Sequence, residues 1–297
     1  MKHALLSLIG LVATSVLSGT ALAVTPSTSA DVTLNTAVGD VNRGAYLARA
    51  SGCIACHSDF DSGGKPLAGG APIVTPFGTF YAPNLTTDPS YGIGRWTLED
   101  FTRALREGVS PDGDPYYPAF PYSFYTRLSD QDIADLWVAF KTVPPVAKGA
   151  PEHELSFPFN IRSGLLIWQG MFFKPERFRP DDGRDEIYNR GAYLVESAAH
   201  CGACHTPRNL MGALDLSATF EGADGLPEGG KSPAITAHAL KSKGWTVDDL
   251  AYALKSGITP DGDVFGGTMG EVVRDGTSFL APDDLKAIAH YLLMRKP

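Results

Sequence analysis

Two five-residue runs in this sequence have the residue types and spacing to do chemistry: CIACH at 53–57 and CGACH at 201–205. Each sets two thiols three positions apart and follows them at once with an imidazole. Together they hold all four cysteines of the chain. Disulfides would suit an exported protein, but a C-x-x-C pair closes a small strained loop and leaves the histidine idle. Zinc takes Cys and His ligands, yet each run would lack a fourth ligand, and structural zinc sites prefer other spacings. Covalent haem c uses every residue. The two thiols add to the haem vinyl groups from one helical turn, and the next-residue imidazole binds iron from below the ring. The motifs therefore point to two covalently bound haem c groups (iron), held by Cys53, Cys56, Cys201 and Cys204, with His57 and His205 as proximal ligands.

A proximal histidine needs its other ring nitrogen held, commonly by a backbone carbonyl. In HTPRN at 205–209 the expected acceptor is the Pro207 carbonyl, with Arg208 placed for a haem propionate. The run HSDFD at 57–61 offers neither residue.

The two motifs belong to a repeat. RGAYL recurs at 43–47 and 190–194, WTLED at 96–100 matches WTVDD at 245–249, PDGD recurs at 111–114 and 260–263, and DIADLWVAF at 132–140 resembles DLKAIAHYL at 284–292. The landmarks keep their order at an offset near 150 residues, as in a duplicated unit. The repeat also indicates the second axial ligand. Trp245 to Met269 is 24 residues, and Met269 is the expected thioether ligand of the second iron. The same 24 residues from Trp96 reach Phe120, which cannot bind iron. Between residues 31 and 152 there is no Met, and the only His is His57. The first haem is expected to be five-coordinate, weakly ligated, or ligated from the connector, where His153 and Met171 are the candidates. His153, His200, His238 and His290 otherwise read as solvated or packing residues.

The elements that must position these groups are helices. Apolar spacing predicts helices from Arg43–Ala50 and Ile187–Ala199, each ending before a first cysteine. Thr97 with Asp100 and Thr246 with Asp249 are capping pairs, Ser129 with Asp132 caps the last helix of the first copy, and Pro282 opens that of the second. Each copy reads as three helices with long Gly/Pro-rich loops, thin in apolar content unless a macrocycle fills the core. The expected fold is all-α: two tandem class I cytochrome c-like domains at 39–148 and 186–297, joined by an aromatic-rich connector at 149–185. That connector carries Phe157, Phe159, Trp168, Phe172, Phe173 and Phe178, unlike a Gly/Ser linker. It should pack along both copies.

Residues 1–23 have a basic start, a short apolar run and an Ala-Leu-Ala ending, which reads as a cleaved signal peptide. Residues 24–38 are expected to form a flexible lead-in. The formal net charge of −8 argues against nucleic acid as a partner. The expected compartment is the periplasm.

Several stretches, among them GIGRWTLEDFTRALREGV, YPAFPY, SDQDIADLWVAFKTVPPV, FPFNIR and RGAYLVESAAHCGACHTPRN, resemble the cytochrome c subunits of periplasmic alcohol and sugar-acid dehydrogenases. The likeness runs from about 40 to 294. It implies a subunit that passes electrons from a partner dehydrogenase toward a cytochrome, oxidase or quinone-linked acceptor. Family members typically carry three haem domains, a membrane-associating C-terminal segment and often Met at the position of Phe120. A shortened form with two haem domains is expected here, reaching the membrane only through partners. The rival reading is a diheme enzyme, such as a cytochrome c peroxidase or thiosulfate dehydrogenase. No acid–base pair or nucleophile stands out to favour catalysis.

Overall fold

The computed structural model describes residues 38–226 and 229–296, so the expected signal peptide and most of the lead-in lie outside the described residues. Each first helix begins at an aspartate. Asp40 caps α1 (Val41–Ala50) by accepting from the Arg43 amide, and the Asp40 amide in turn donates to the buried carboxylate of Asp135. After a glycine at Gly52 comes the one-turn α2 (Cys53–Cys56). A hairpin of β1 (Pro72–Thr75) and β2 (Gly78–Tyr81) follows, with Pro72 opposite Tyr81. Then come α3 (Leu98–Glu107), the short α4 (Tyr122–Tyr125) and α5 (Asp130–Phe140). Thr97 and Asp100 form the expected capping box on α3, and Ser129 accepts from the Asp132 amide to start α5.

The connector supplies β3 (Glu154–Leu155), which adds to β2 and completes a three-stranded antiparallel sheet, and then α6 (Gly164–Phe172). The second copy runs through α7 (Glu186–Tyr193), a wide π turn at Leu194–Ala198, α8 (Gly202–His205), α9 (Ala237–Ser242), α10 (Val247–Ser256), α11 (Gly267–Asp275) and α12 (Pro282–Met294). Thr246 and Asp249 cap α10 as Thr97 and Asp100 cap α3. Pro282 sits in the first turn of α12. The structure is thus mostly helical, as expected. The small sheet departs from an all-α reading, and the β-branched run Ile73-Val74-Thr75 before a two-residue Pro76-Phe77 turn was the overlooked signal.

In both copies the first and last helices cross at a glycine. A Cβ on Gly44 would lie 1.9 Å from the Asp135 carbonyl oxygen, and one on Gly191 would lie 2.0 Å from that of Ala287. That close approach is why RGAYL carries Gly in both copies. Buried Leu47, Phe101 and Leu136 in the first copy and Leu194, Leu250 and Ile288 in the second belong to one apolar cluster.

The copies also hold one another by reciprocal bonds. The Tyr46 hydroxyl donates to Asp284 and accepts from the Ala281 amide. The Tyr193 hydroxyl donates to Asp132 and accepts from the Ser129 amide. The residues of one set are the repeat equivalents of the other, so the contact has approximate two-fold symmetry. The connector meets both copies. Gln169 donates to the Gly108 carbonyl and Arg162 to that of Pro115, while Trp168 Nε1 donates to the Met211 carbonyl and Phe178 stacks edge-on with Tyr193. Its outer face leaves Leu166, Ile167 and Met171 exposed.

Asp284 is the most heavily bonded member of this contact. It takes two bonds from Arg190, at 2.7 and 2.8 Å, besides the one from Tyr46. Burial alone would raise its carboxyl, but the Arg190 guanidinium and the Tyr46 hydroxyl outweigh burial and hold it below the usual range. A depressed folded-state value means stability that is present above the ordinary carboxylate pKa of about 3.9 and lost as pH falls through the folded value. Asp284→Asn should cost about 2 kcal/mol at pH 7 in denaturant titration. The gap between parent and variant should begin to close below about pH 4 and close fully only as pH falls through the depressed folded value, where the parent carboxyl also becomes neutral.

Candidate functional site

Each C-x-x-C-H run lies on a single helical turn, whose three- and four-residue spacings put the two thiols and the imidazole on one face. All four cysteines are free thiols. Among the described residues, no three His, Cys, Asp or Glu side chains converge as a metal-ion cage. The two motifs therefore lack the convergent donors of a tetrahedral zinc site. Donors on one turn that form no cage suit a planar group bonded at its edge by the thiols and approached by the imidazole. Burial pushes the Cys53 and Cys201 thiols up to about 12.

The histidines separate by which ring nitrogen is already engaged. His57 Nδ1 lies 2.7 Å from the Pro83 carbonyl, and His205 Nδ1 lies 2.8 Å from the Pro233 carbonyl. A carbonyl only accepts, so each Nδ1 carries the hydrogen and each Nε2 keeps its lone pair, the state of an iron-binding imidazole. Burial lowers both imidazoles below their ordinary pKa and favours the neutral form, while the bond to the carbonyl works in the opposite direction.

The two carbonyls are delivered by equivalent backbone. The Gly69 amide donates to the His57 carbonyl and the Gly222 amide to that of His205. Beyond them, Leu85 N–H bonds the Leu67 carbonyl, and Ile235 N–H bonds that of Phe220. In the first copy β2 runs straight into Pro83. In the second, an isolated bridge between Ala223 and Ser232 does that work, aided by the Ser232 hydroxyl on the Cys204 carbonyl.

The Pro207 assignment is therefore replaced by Pro233, and the first copy has its own acceptor in Pro83. The shared pattern Pro-x-x-Thr, in APNLT and SPAIT, was the available signal. Arg208 is also placed otherwise than expected: its terminal nitrogens donate to the Gly212 and Ala203 carbonyls at 2.8 and 2.9 Å, bracing the loop after the motif.

Phe120 and Met269 both pack against the buried cluster. Met269 stands on α11 rather than in a loop, and α11 packs near α2 of the other copy. Phe120 sits in an aromatic cage, its ring 5.6 Å from Tyr116, 6.2 Å from Tyr122 and 5.7 Å from Tyr125. Of the connector candidates, His153 Nδ1 accepts from the Tyr81 amide at 3.2 Å. Its hydrogen is thereby placed on Nε2, the reverse of His57 and His205. Met171 is exposed on α6.

No family model matches the chain. Comparison with characterised proteins finds a diheme cytochrome c-type protein of Cereibacter sphaeroides, 44% identical over 258 residues, which cover 86% of this chain and 85% of that protein. The chain belongs to this cytochrome c family. It is also 41% identical over 294 residues to the cytochrome c subunit of a quinone alcohol dehydrogenase of Gluconacetobacter polyoxogenes, and 40% identical over 262 residues to the cytochrome c subunit of gluconate 2-dehydrogenase of Pantoea cypripedii. These matches cover 95% and 85% of this chain, and 60% and 58% of the two relatives. Haem-attaching cytochromes accord with the donor geometry above. No described helix is long and apolar enough to cross a membrane.

Arg208→Ala should lower stability by about 1 kcal/mol through the loss of its carbonyl bonds, measured by denaturant unfolding. The reduction potential of the second site should stay at the parent value. A large potential shift with unchanged stability would instead support the propionate role.

Proposed function

We propose that this chain is a periplasmic diheme c-type cytochrome that takes electrons from a partner dehydrogenase and delivers them to a cytochrome, oxidase or quinone-linked acceptor. The observation that carries the reading is the matched pair of imidazoles, each with Nδ1 within hydrogen-bond distance of a proline carbonyl and each directly after a pair of cysteines held in no disulfide. Cys53 and Cys56 with His57, and Cys201 and Cys204 with His205, would hold one haem each. Haem c supplies an iron that cycles between ferrous and ferric states without proton bookkeeping by the protein. The chain attaches and orients the groups, excludes water from them and sets their potentials. Residues 39–148 and 186–297 serve as the two haem domains, 149–185 as the connector, and 1–23 as the export signal. The dehydrogenase cytochromes among its relatives support a carrier rather than a peroxidase or thiosulfate dehydrogenase.

The two sites are chemically unequal in this reading. Met269 gives the second iron a thioether, which favours the ferrous state and a relatively high potential. Phe120 gives the first iron no ligand, and the hydrogen of His153 occupies the nitrogen that would be needed. The first site is open or weakly ligated.

Intact-mass measurement of the exported protein should show a chain beginning at Val24 and carrying two haems. One haem or none would end the diheme reading. Electron paramagnetic resonance should show one high-spin and one low-spin signal in the parent, with the low-spin signal lost in Met269→Ala. A wholly low-spin parent with a second thioether signal lost in Met171→Ala would refute the inequivalence.

A further inference from the structure

The two attachment turns meet where the approximate two-fold passes between the copies, and the residues there are not equivalent. Gly52 and His200 occupy the same place in the repeat, immediately before the first cysteine. Both have left-handed backbones, with φ of 66° and 38°. Glycine adopts this region freely, and histidine does so at a conformational cost. The second copy thus keeps a strained side chain where the first has none. The difference has a geometric use. A Cβ on Gly52 would lie 3.6 Å from His200 Nε2, at van der Waals contact, so the imidazole packs close over the face that Gly52 leaves without a side chain.

The imidazole is held from several sides. His200 Nε2 lies 3.3 Å from the Ser51 carbonyl, which also accepts from the Tyr125 hydroxyl at 2.5 Å. The Tyr125 and Phe124 rings stand 5.5 and 6.2 Å from the His200 ring. Because the Ser51 carbonyl can only accept, His200 Nε2 carries its hydrogen. That is the opposite tautomer to His57 and His205, and it marks His200 as a bridging residue and not an iron ligand. The wide turn at Leu194–Ala198 feeds directly into this contact, with the Cys201 amide reaching back to the Val195 carbonyl at 3.2 Å. Such π turns recur at functional sites. The second copy therefore departs from regular helix, and then from ordinary backbone angles, to bring one side chain onto the first copy's attachment turn.

We propose that His200 is a positioning residue that couples the two haem sites. Its Nε2–H on the Ser51 carbonyl fixes the two attachment turns relative to one another. It also completes a bonded route from Cys201 through His200, across the hydrogen bond to Ser51, and through Gly52 to Cys53. This rests on the diheme reading above. With haem held at both motifs, the step it would serve is the passage of one electron from a ferrous to a ferric iron. No bond forms or breaks and no proton moves.

The test uses the exported holoprotein and three variants. His200→Gly matches Gly52 and relieves the backbone strain, so it should fold. His200→Leu keeps bulk without a donor. His200→Gln keeps an N–H at similar reach. Intramolecular electron transfer is followed optically after flash photoreduction, with haem content and the low-spin resonance signal measured on each sample. Transfer should slow at least fivefold in His200→Gly and His200→Leu and return toward the parent rate in His200→Gln, with two haems and the Met269 signal kept throughout. Parent-like rates in both the Gly and Leu variants would overturn the proposal. Equal slowing in the Gln variant would also overturn it, since the hydrogen bond would then not be what matters. A parent with fewer than two haems would remove the diheme reading itself, an outcome visible before any rate is measured.

Discussion

The bond from each attachment-motif histidine to a proline carbonyl is the constraint around which the rest of the chain is arranged. An imidazole that must present Nε2 to iron needs its Nδ1–H held, and the holder lies 26 residues downstream in the first copy and 28 in the second. Bringing such distant backbone under the histidine requires the loop to return on itself. The amides of Gly69 and Gly222 on the His57 and His205 carbonyls make that return, and the hairpin that leads into Pro83 stiffens it. The helices then serve as a frame. The crossings at Gly44 and Gly191 set where each cysteine turn begins, and the reciprocal tyrosine–aspartate bonds hold one frame against the other.

Much of this was legible in the sequence because it is local. Capping pairs such as Thr97 with Asp100 act within one turn, and the structure has them where the spacing put them. The duplicated landmarks placed Met269 at the Trp-based distance that leads to Phe120 in the other copy. What escaped the reading was long-range. Nothing near His205 distinguishes Pro207 from Pro233 as the carbonyl partner. The choice is made by a chain reversal whose only trace is the recurrent Pro-x-x-Thr. Arg208 likewise has the charge for a propionate, but backbone carbonyls closer at hand take its terminal nitrogens.

The two copies show how a duplicated frame can hold unequal sites. Residues that set the fold, such as the RGAYL glycine and the capping acids, agree between the copies. Two positions close to the groups each copy would hold do not. Phe120 stands opposite Met269 in the repeat, and Gly52 opposite His200. An electron carrier gains direction when its two sites differ in potential, and a thioether at one site with an aromatic cage at the other is a direct means to that difference. The family supports the carrier role, and its dehydrogenase members carry additional chain beyond the matched region.

The most direct test of the central claim is diffraction from crystals of the exported protein at the iron absorption edge. Anomalous maps should show two iron positions, one beside Nε2 of His57 and one beside Nε2 of His205, with the Met269 sulfur on the far side of the second. A single iron, or iron bound with either Nδ1 freed from its proline carbonyl, would contradict the account.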